Sequence, residues 1–581
     1  MDGSGFNTHD TICKVGDRAE RDLRRAVVPA VIGLLTLTAY SNSFSVPFQF
    51  DDLRLIRFNF SLRDLADWKN ALLSERFRPL LAATFALNYQ IGQSNPFAYH
   101  VVNFCIHLAN VLLLFRLLSR HASYGVAAIS AVIIAVHPLN VESVTYISSR
   151  SILLCSFFYL LAILIFDAHL RKSTWFYFSA FLLFFFLAAL AKEEGAFIPV
   201  AAFLYNLIFF GKDSLRKHKW IHGISILFLL IGGLLRIYFH AKYEGAAPYR
   251  LGIWIPTEAY VWVRYLWLSI YPVSLNVDPD VPVLTGLSFL FWISLVLLFL
   301  LLLACWLVRK GHPFLSFWGL WFFLNLTSSS MVPLLDFMAE HRTYLSLFGF
   351  SSCVGYLLMQ WKQSAAKPRR LLVGCVIGWI AFLTFVTYQR NRVWASELTL
   401  WLDSSQKSPR KIRPHLNLAA AYIQRKAYDL AIQEYLASLT LNPEIPQTYS
   451  GLGICYLEKG DLNAADRNFR KALELHPDLI DAKTGMGVVF YRTGKYEESL
   501  SYFTDVYPMR QESARLLEMM SDAYLKTGKP ADAIPLLKKG LALDPSRRYW
   551  HSKLIEAYLF TGQKKQAAEV YEQFRKRFPE P

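Results

Sequence analysis

Two adjacent carboxylates, Asp51 and Asp52, close the first long uncharged run of the chain, Ala26 to Phe50. A run of that length suffices for a membrane-spanning helix of about 20 residues, so the pair is expected to emerge at a membrane face. Placed there, a carboxylate can move a proton to or from something the membrane delivers. A solvated helix terminus would use the same residue types. The distribution of the other polar residues therefore decides between the two.

The elements that must position the pair follow from composition. Of 581 residues, 54% are hydrophobic and 15% aromatic, and the mean hydropathy is +0.28, too apolar for a soluble protein of this length. The chain changes character near residue 390, where uncharged runs give way to a polar, Ala/Leu/Tyr-rich segment. Although the net charge is +17, the basic residues sit in short clusters between apolar runs and on helical repeats. They lack the interleaved aromatics of a nucleic-acid platform. The seven cysteines are scattered without a CxxC pair, so neither a disulfide framework nor a zinc site is indicated. The first 25 residues carry five acidic and five basic side chains, and no small-residue cleavage site follows the apolar run. It reads as a retained anchor behind a cytoplasmic tail.

Eleven uncharged or nearly uncharged runs lie at 26–50, 97–115, 122–141, 151–166, 173–191, 195–211, 220–239, 281–308, 313–335, 343–361 and 371–388. With a cytoplasmic N-terminus, eleven crossings put the clusters Arg116/Arg120, Arg171/Lys172, Lys212 to Lys219, Arg309/Lys310 and Lys362 to Arg370 all in the cytoplasm, as the positive-inside rule requires. A weaker apolar segment, 257–271, would break that pattern by crossing. It is therefore expected to be interfacial or re-entrant, which leaves the C-terminal segment outside the cytoplasm. The loops on the same outer side then hold Asp51, Asp52, Arg78, His137, Glu142, Arg150, Lys192, Glu193, Glu194, Glu340, His341 and Arg342. In the run 97–115, His100, Asn103, His107 and Asn110 share one helix face, and Arg236 and His240 lie one turn apart. Singly, each such residue reads as helix-packing glue; as a set they predict a polar cavity opening outward.

The segment after 408 repeats every 34 residues. Gly460, Gly494, Gly528 and Gly562 keep this register, as do Tyr422, Tyr456, Phe490, Tyr524 and Tyr558, and Ala431, Ala465, Ser499, Ala533 and Ala567. Pro409, Pro443, Pro477, Pro545 and Pro579 form a third ladder, with Gln511 at the missing rung. This period and these residue types mark tetratricopeptide repeats, in which Gly turns the first helix into the second and Pro ends the unit. The fold class is thus all-α: a polytopic membrane domain at 26–390, a connecting or capping helix at 391–408, and a repeat solenoid at 409–581 whose groove suits a protein or peptide partner.

Several motifs in the membrane part carry a resemblance. Phe50-Asp51-Asp52, Arg78-Pro79-Leu80, Asn95-Pro96-Phe97 before His100, His137-Pro138-Leu139-Asn140-Val141-Glu142 with Ser149-Arg150, Lys192-Glu193-Glu194-Gly195, and Ala339-Glu340 with Tyr344-Leu345 resemble the transmembrane and tetratricopeptide repeat-containing O-mannosyltransferases. Where that family tends to show Ala-Glu-Arg, this chain has Ala339-Glu340-His341, followed by Arg342. The resemblance implies a C-type glycosyltransferase fold that transfers a mannose-like sugar from a polyprenyl or dolichyl phosphate to protein Ser/Thr hydroxyls at the non-cytoplasmic face. An inverting transfer needs one base for the acceptor hydroxyl and positive groups near the departing phosphate. By family position Asp51 is the base, and Asp52 supports the loop or binds the sugar. The donor side would draw on Arg78, His100, His137, Glu142, Arg150, Lys192, Glu193, Arg236, Glu340 and Arg342. No ligand spacing demands a metal, although carboxylates and His on one face admit a divalent cation. The compact length leans towards a bacterial inner membrane with periplasmic repeats, the alternative being the endoplasmic reticulum with lumenal repeats. Two other readings fit parts of the pattern: a non-enzymatic membrane scaffold, and a transporter of lipid-linked sugars. The absence of a clear internal repeat in 26–388 disfavours the latter.

Overall fold

The computed structural model describes residues 27–63, 69–70, 72, 78–243, 249–330, 336–364 and 369–578; the side chains of 235–237, 239–241, 243, 363, 364 and 369 lie outside that description. Among the described residues every regular element is helical. The chain divides into two compact units between Lys407 and Ser408.

In the first unit each of the eleven apolar runs holds a helix. Four helices, Pro96–Leu118, Ile147–Lys172, Phe289–Leu307 and Arg370–Val393, are long and apolar enough to cross a membrane on their own. A fifth span forms if Tyr124–Val136 and Pro138–Thr145 count as one, bent by 53°. By length and apolarity the described residues thus supply four or five spans, against the eleven expected. The run 122–141 breaks because Pro138 cannot donate to the helix and biases the preceding residue away from helical angles; His137 is extended (φ −76°, ψ 127°). Helix Leu251–Ile270 begins well before the 257–271 segment expected from the sequence and buries Trp254, Val261, Tyr265 and Leu268.

Between apolar helices, polar side chains and small residues set the contacts. The polar stripe of helix Pro96–Leu118 is buried, each of His100, Asn103, His107 and Asn110 at 1% exposure or less. Asn103 Nδ2 donates to the carbonyls of Val144 and Ile147, both at 3.3 Å. His107 Nδ1 meets Tyr344 Oη at 2.7 Å, and Asn110 Nδ2 donates to Leu153 O at 3.0 Å. The set therefore acts as helix-packing glue, because carbonyls and a phenol from neighbouring segments take at least one polar atom of each side chain, while His100 Nδ1 and Asn110 Oδ1 are buried without a partner. Helix Tyr344–Ser364 wedges between two neighbours through Gly349 and Gly355. A Cβ on Gly349 would stand 2.3 Å from Trp318 O, and one on Gly355 2.2 Å from Ser130 Oγ. At the helix ends expected to face the cytoplasm, buried Asp167 gathers Arg120, Arg171 Nε at 3.0 Å and Tyr205 Oη at 2.8 Å.

The second unit is five helix pairs: Ile412–Gln424 with Tyr428–Leu441, Pro446–Lys459 with Leu462–Leu475, Ile480–Arg492 with Tyr496–Val506, Ala514–Lys526 with Pro530–Leu543, and Arg548–Phe560 with Lys564–Arg577. The 34-residue ladder marks the turns inside each pair. Gly460, Gly494, Gly528 and Gly562 all adopt φ between 74° and 86°, and Lys426 takes the same left-handed turn (φ 59°) in the first repeat, where glycine is absent. At the missing proline rung, Pro508 falls early and the third pair's second helix ends in a short 3₁₀ turn, Tyr507–Met509. Helix Glu397–Lys407 was expected to connect to or cap the repeats. It falls within the first unit, where Ser404 Oγ donates to Asn276 Oδ1 at 2.7 Å and Lys407 Nζ to Leu275 O at 2.8 Å.

If helix Tyr344–Ser364 holds the first unit together by close approach, Gly349→Val must push it off the Trp318 backbone. The expected cost is about 1–3 kcal/mol of overpacking, read as a lower thermal unfolding midpoint in detergent with the helical signal retained at low temperature. An unchanged midpoint would contradict the packing.

Candidate functional site

The Asp51–Asp52 corner is built by one unusual residue. Phe50 has φ of 51°, a left-handed conformation that costs a bulky side chain about 1–3 kcal/mol and persists only where the surroundings hold it. Here they do: the Phe50 ring lies 4.6 Å from Trp401 and 5.9 Å from Tyr146 between centroids. The turn sends the two carboxylates opposite ways. Asp51 keeps 62% of its side chain in solvent, while Asp52 is 1% exposed.

Asp52 is a fastener. Its Oδ1 accepts the backbone N–H of Ser148 at 2.8 Å and the Ser148 hydroxyl, and its Oδ2 accepts the Gln49 N–H at 3.1 Å. The Gln49 side-chain amide donates to Trp394 O. Burial pushes the Asp52 carboxyl up to about 7, against the lowering effect of the Ser148 and Gln49 donors. Asp51 is the presented group. Its Oδ2 accepts the Tyr146 hydroxyl at 3.0 Å, its own N–H donates to Tyr146 Oη at 3.2 Å, and Arg54 Nε lies 3.9 Å from Oδ1.

A second cluster joins five segments. Glu142 Oε2 accepts the Glu340 N–H at 2.9 Å, and its Oε1 meets His341 Nδ1 at 2.6 Å. Glu340 Oε1 accepts the Asn276 N–H, and its Oε2 lies 3.6 Å from Arg390, which is 2.9 Å from Asp403. Burial raises the Glu340 carboxyl, and the Arg390 charge opposes that. His341 thus holds Glu142, whereas Arg342 turns to the Phe337 carbonyl at 3.2 Å.

The remaining donor-side candidates are mostly occupied. Arg150, fully buried, gives Nε to Asn103 Oδ1 at 2.7 Å and Nη2 to Asn88 Oδ1 at 2.8 Å and Tyr99 O at 3.1 Å, and its guanidinium lies 4.7 Å from the Phe85 ring centroid. It is a helix fastener with no face left for a phosphate. His100 Nε2 bonds Val46 O at 2.8 Å, and His137 Nε2 bonds Ser269 O at 3.0 Å, both inside the protein. Lys192 forms a buried ion pair with Glu194 at 2.8 Å. Arg78 and Glu193 pair at 3.3 Å while keeping about a third of their surface exposed or more, 34% and 42%. The Arg236 side chain lies outside the described residues. Among the described residues no three His, Cys, Asp or Glu side chains converge to hold a metal ion.

Sequence reasoning passed over Tyr146, Ser148, Trp394 and Trp401, which grip the corner. Tyr146 and Ser148 sit inside the motif window that drew attention to Glu142 and Arg150, so the window was a signal; nothing local marks the tryptophans.

Residues 78–234 match the family model described as dolichyl-phosphate-mannose-protein mannosyltransferase, and 412–445, 444–512 and 524–581 match tetratricopeptide repeat models. A protein O-mannosyl-transferase of Caenorhabditis elegans is 25% identical over 488 residues, covering 75% of this chain and 66% of that protein. Human protein O-mannosyl-transferase TMTC3 is 22% identical, covering 72% and 51%, and human TMTC4 is 24% identical, covering 70% and 65%. The homologues are thus TMTC protein O-mannosyl-transferases, and the chain spans between half and two thirds of their length. Among solved structures, MamA from Desulfovibrio magneticus covers 29% of the chain at 21% identity with a TM-score of 0.26.

Two expectations follow. The unfolded chain loses its Asp52 proton near pH ~4 while the fold keeps it to about 7, so this group makes stability fall as pH rises between those values and level off above. In Asp52→Asn that slope should vanish from thermal unfolding, with about 1–3 kcal/mol lost because Gln49 N–H has no acceptor; a slope parallel to wild type would contradict it. Arg150→Lys cannot reproduce the forked contacts and should destabilise the fold by about 3–5 kcal/mol. A variant of wild-type stability that merely binds donor more weakly would return Arg150 to the donor site.

Proposed function

We propose that the chain is an integral membrane protein O-mannosyltransferase. It takes mannose from a polyprenyl- or dolichyl-phosphate donor and places it on Ser/Thr hydroxyls at the non-cytoplasmic face. The observation that carries this reading is the division of labour between the two carboxylates, with Asp52 buried as a fastener and Asp51 held out to solvent, in a chain whose homologues are named protein O-mannosyl-transferases.

In this reading Asp51 takes the acceptor's hydroxyl proton as its oxygen attacks the anomeric carbon. The bond from that carbon to the phosphate oxygen breaks, and the lipid phosphate leaves with the electron pair. Arg78, at the rim with Glu193, is the candidate to hold the departing phosphate, since Arg150, His100 and Lys192 are engaged inside the protein. The repeat unit would recruit the acceptor. Two hollows on it share Ile454 and Asp481, one lined also by Asn417 and Ser450 and the other by Thr484 and Val488, and all six residues come from successive first helices of the pairs.

The test compares wild type with Asp51→Asn, purified to equal monodispersity, for release of lipid phosphate from mannosyl-phosphate donors with a Ser/Thr-rich acceptor. Loss of a positioned base predicts a fall of about 10²–10⁴-fold in turnover with unchanged thermal stability. Equal turnover by the two proteins would overturn the assignment of the base, and absence of any transfer by wild type would favour the membrane scaffold.

A further inference from the structure

Asp51 is exposed, yet its carboxylate is not left to rotate. The Tyr146 hydroxyl meets the residue twice: it donates to the carboxylate Oδ2 at 3.0 Å and accepts the Asp51 backbone N–H at 3.2 Å. The phenol can do both because its oxygen is donor and acceptor at once. The ring that carries it is anchored in turn, stacked on Trp394 at 5.7 Å and 23° and packed at 5.9 Å against Phe50, the residue whose left-handed turn aims Asp51. Trp394 is itself fully buried, and its carbonyl takes the Gln49 amide. From Gln49 to Asp51, then, every residue is held by the Tyr146–Trp394–Trp401 wall.

We infer that Tyr146 is the positioning residue of the proposed transfer: by donating to Oδ2 it orients the Asp51 carboxylate so that Oδ1 faces the acceptor hydroxyl. The inference rests on Asp51 being the base. In the step itself the acceptor proton passes to Oδ1, and Tyr146 keeps its own proton throughout. Burial drives the phenol well above its ordinary value, with the Asp52 and Asp51 charges acting in the same direction, so it remains a donor at any working pH. The charged and titratable groups around the pair are Arg54, 3.9 Å from Oδ1, and Asp52, reached through Ser148; Phe50 and Trp394 are uncharged.

The donated hydrogen bond is what fixes the rotation of the Asp51 carboxylate. Removing it by Tyr146→Phe, which keeps the ring and its stacking, therefore has a kinetic effect. Turnover falls about 10-fold or more through lost orientation, and the loss appears in kcat, which marks an interaction that matters at the transition state. KM for donor and acceptor stays close to wild type, as does the unfolding midpoint. 3-Fluorotyrosine at position 146, which keeps the hydroxyl donor on a ring of nearly the same shape, restores kcat and keeps the measurement independent of any packing change. A kcat for Tyr146→Phe equal to wild type, or a loss there matched by an equal loss in the fluorotyrosine protein, while Asp51→Asn is inactive, would overturn the positioning role and leave Tyr146 as packing. An Asp51→Asn protein that still turns over would remove the base and this inference with it.

Discussion

The bond that the rest of the site depends on is the seat of Asp52. A carboxylate that is nearly solvent-free is costly unless donors meet it, and here Ser148 and Gln49 supply three, which still leave its titration raised to about 7. By accepting Ser148, Asp52 joins the loop after the first helix to the loop before helix Arg150–Lys172, two segments nearly a hundred residues apart. That joint brings Tyr146 to Asp51. It also explains why two neighbouring acids can have different chemistry: the backbone turns at Phe50, and one side chain is spent on structure while its neighbour remains in water.

The same economy runs through the first unit. Polar residues that could have lined a cavity instead close the gaps between apolar helices, His107 and Asn110 on Tyr344 and Arg150 on Asn88, Asn103 and Tyr99. In an apolar surrounding such bonds add specificity where apolar packing alone discriminates weakly. The proposed chemistry is then left to a small set of partly exposed groups: a rim of Asp51 with Tyr146 and Arg54, and the separate pair of Arg78 with Glu193. Helix Glu397–Lys407 contributes Trp401 to that rim and pins itself through Asp403 and Lys407.

What could be read from the amino-acid order was what local rules impose. The repeat unit was visible because a left-handed turn admits few residue types and recurs every 34 residues; even the exception, Lys426, sits at the ladder position. Helix positions in the membrane unit were visible from uncharged runs, but not their breaks, since Pro138 interrupts a run whose hydropathy is continuous. Asp51 and Asp52 were visible as a pair. The roles of Arg150, His100 and His137 were not, because their partners are backbone carbonyls such as Tyr99 O, Val46 O and Ser269 O, and any residue type can supply a carbonyl. Tyr146 escaped notice for a related reason: its meaning lies in a contact across 95 positions with Asp51.

The most direct test is a structure of the full chain in a membrane mimic with a non-cleavable mannosyl phosphonate lipid and a Ser/Thr acceptor peptide. The account places the acceptor oxygen about 3 Å from Asp51 Oδ1, with Tyr146 still on Oδ2 and Asp52 still on Ser148. Sugar and peptide bound elsewhere in the first unit, with Asp51 facing bulk solvent, would contradict it.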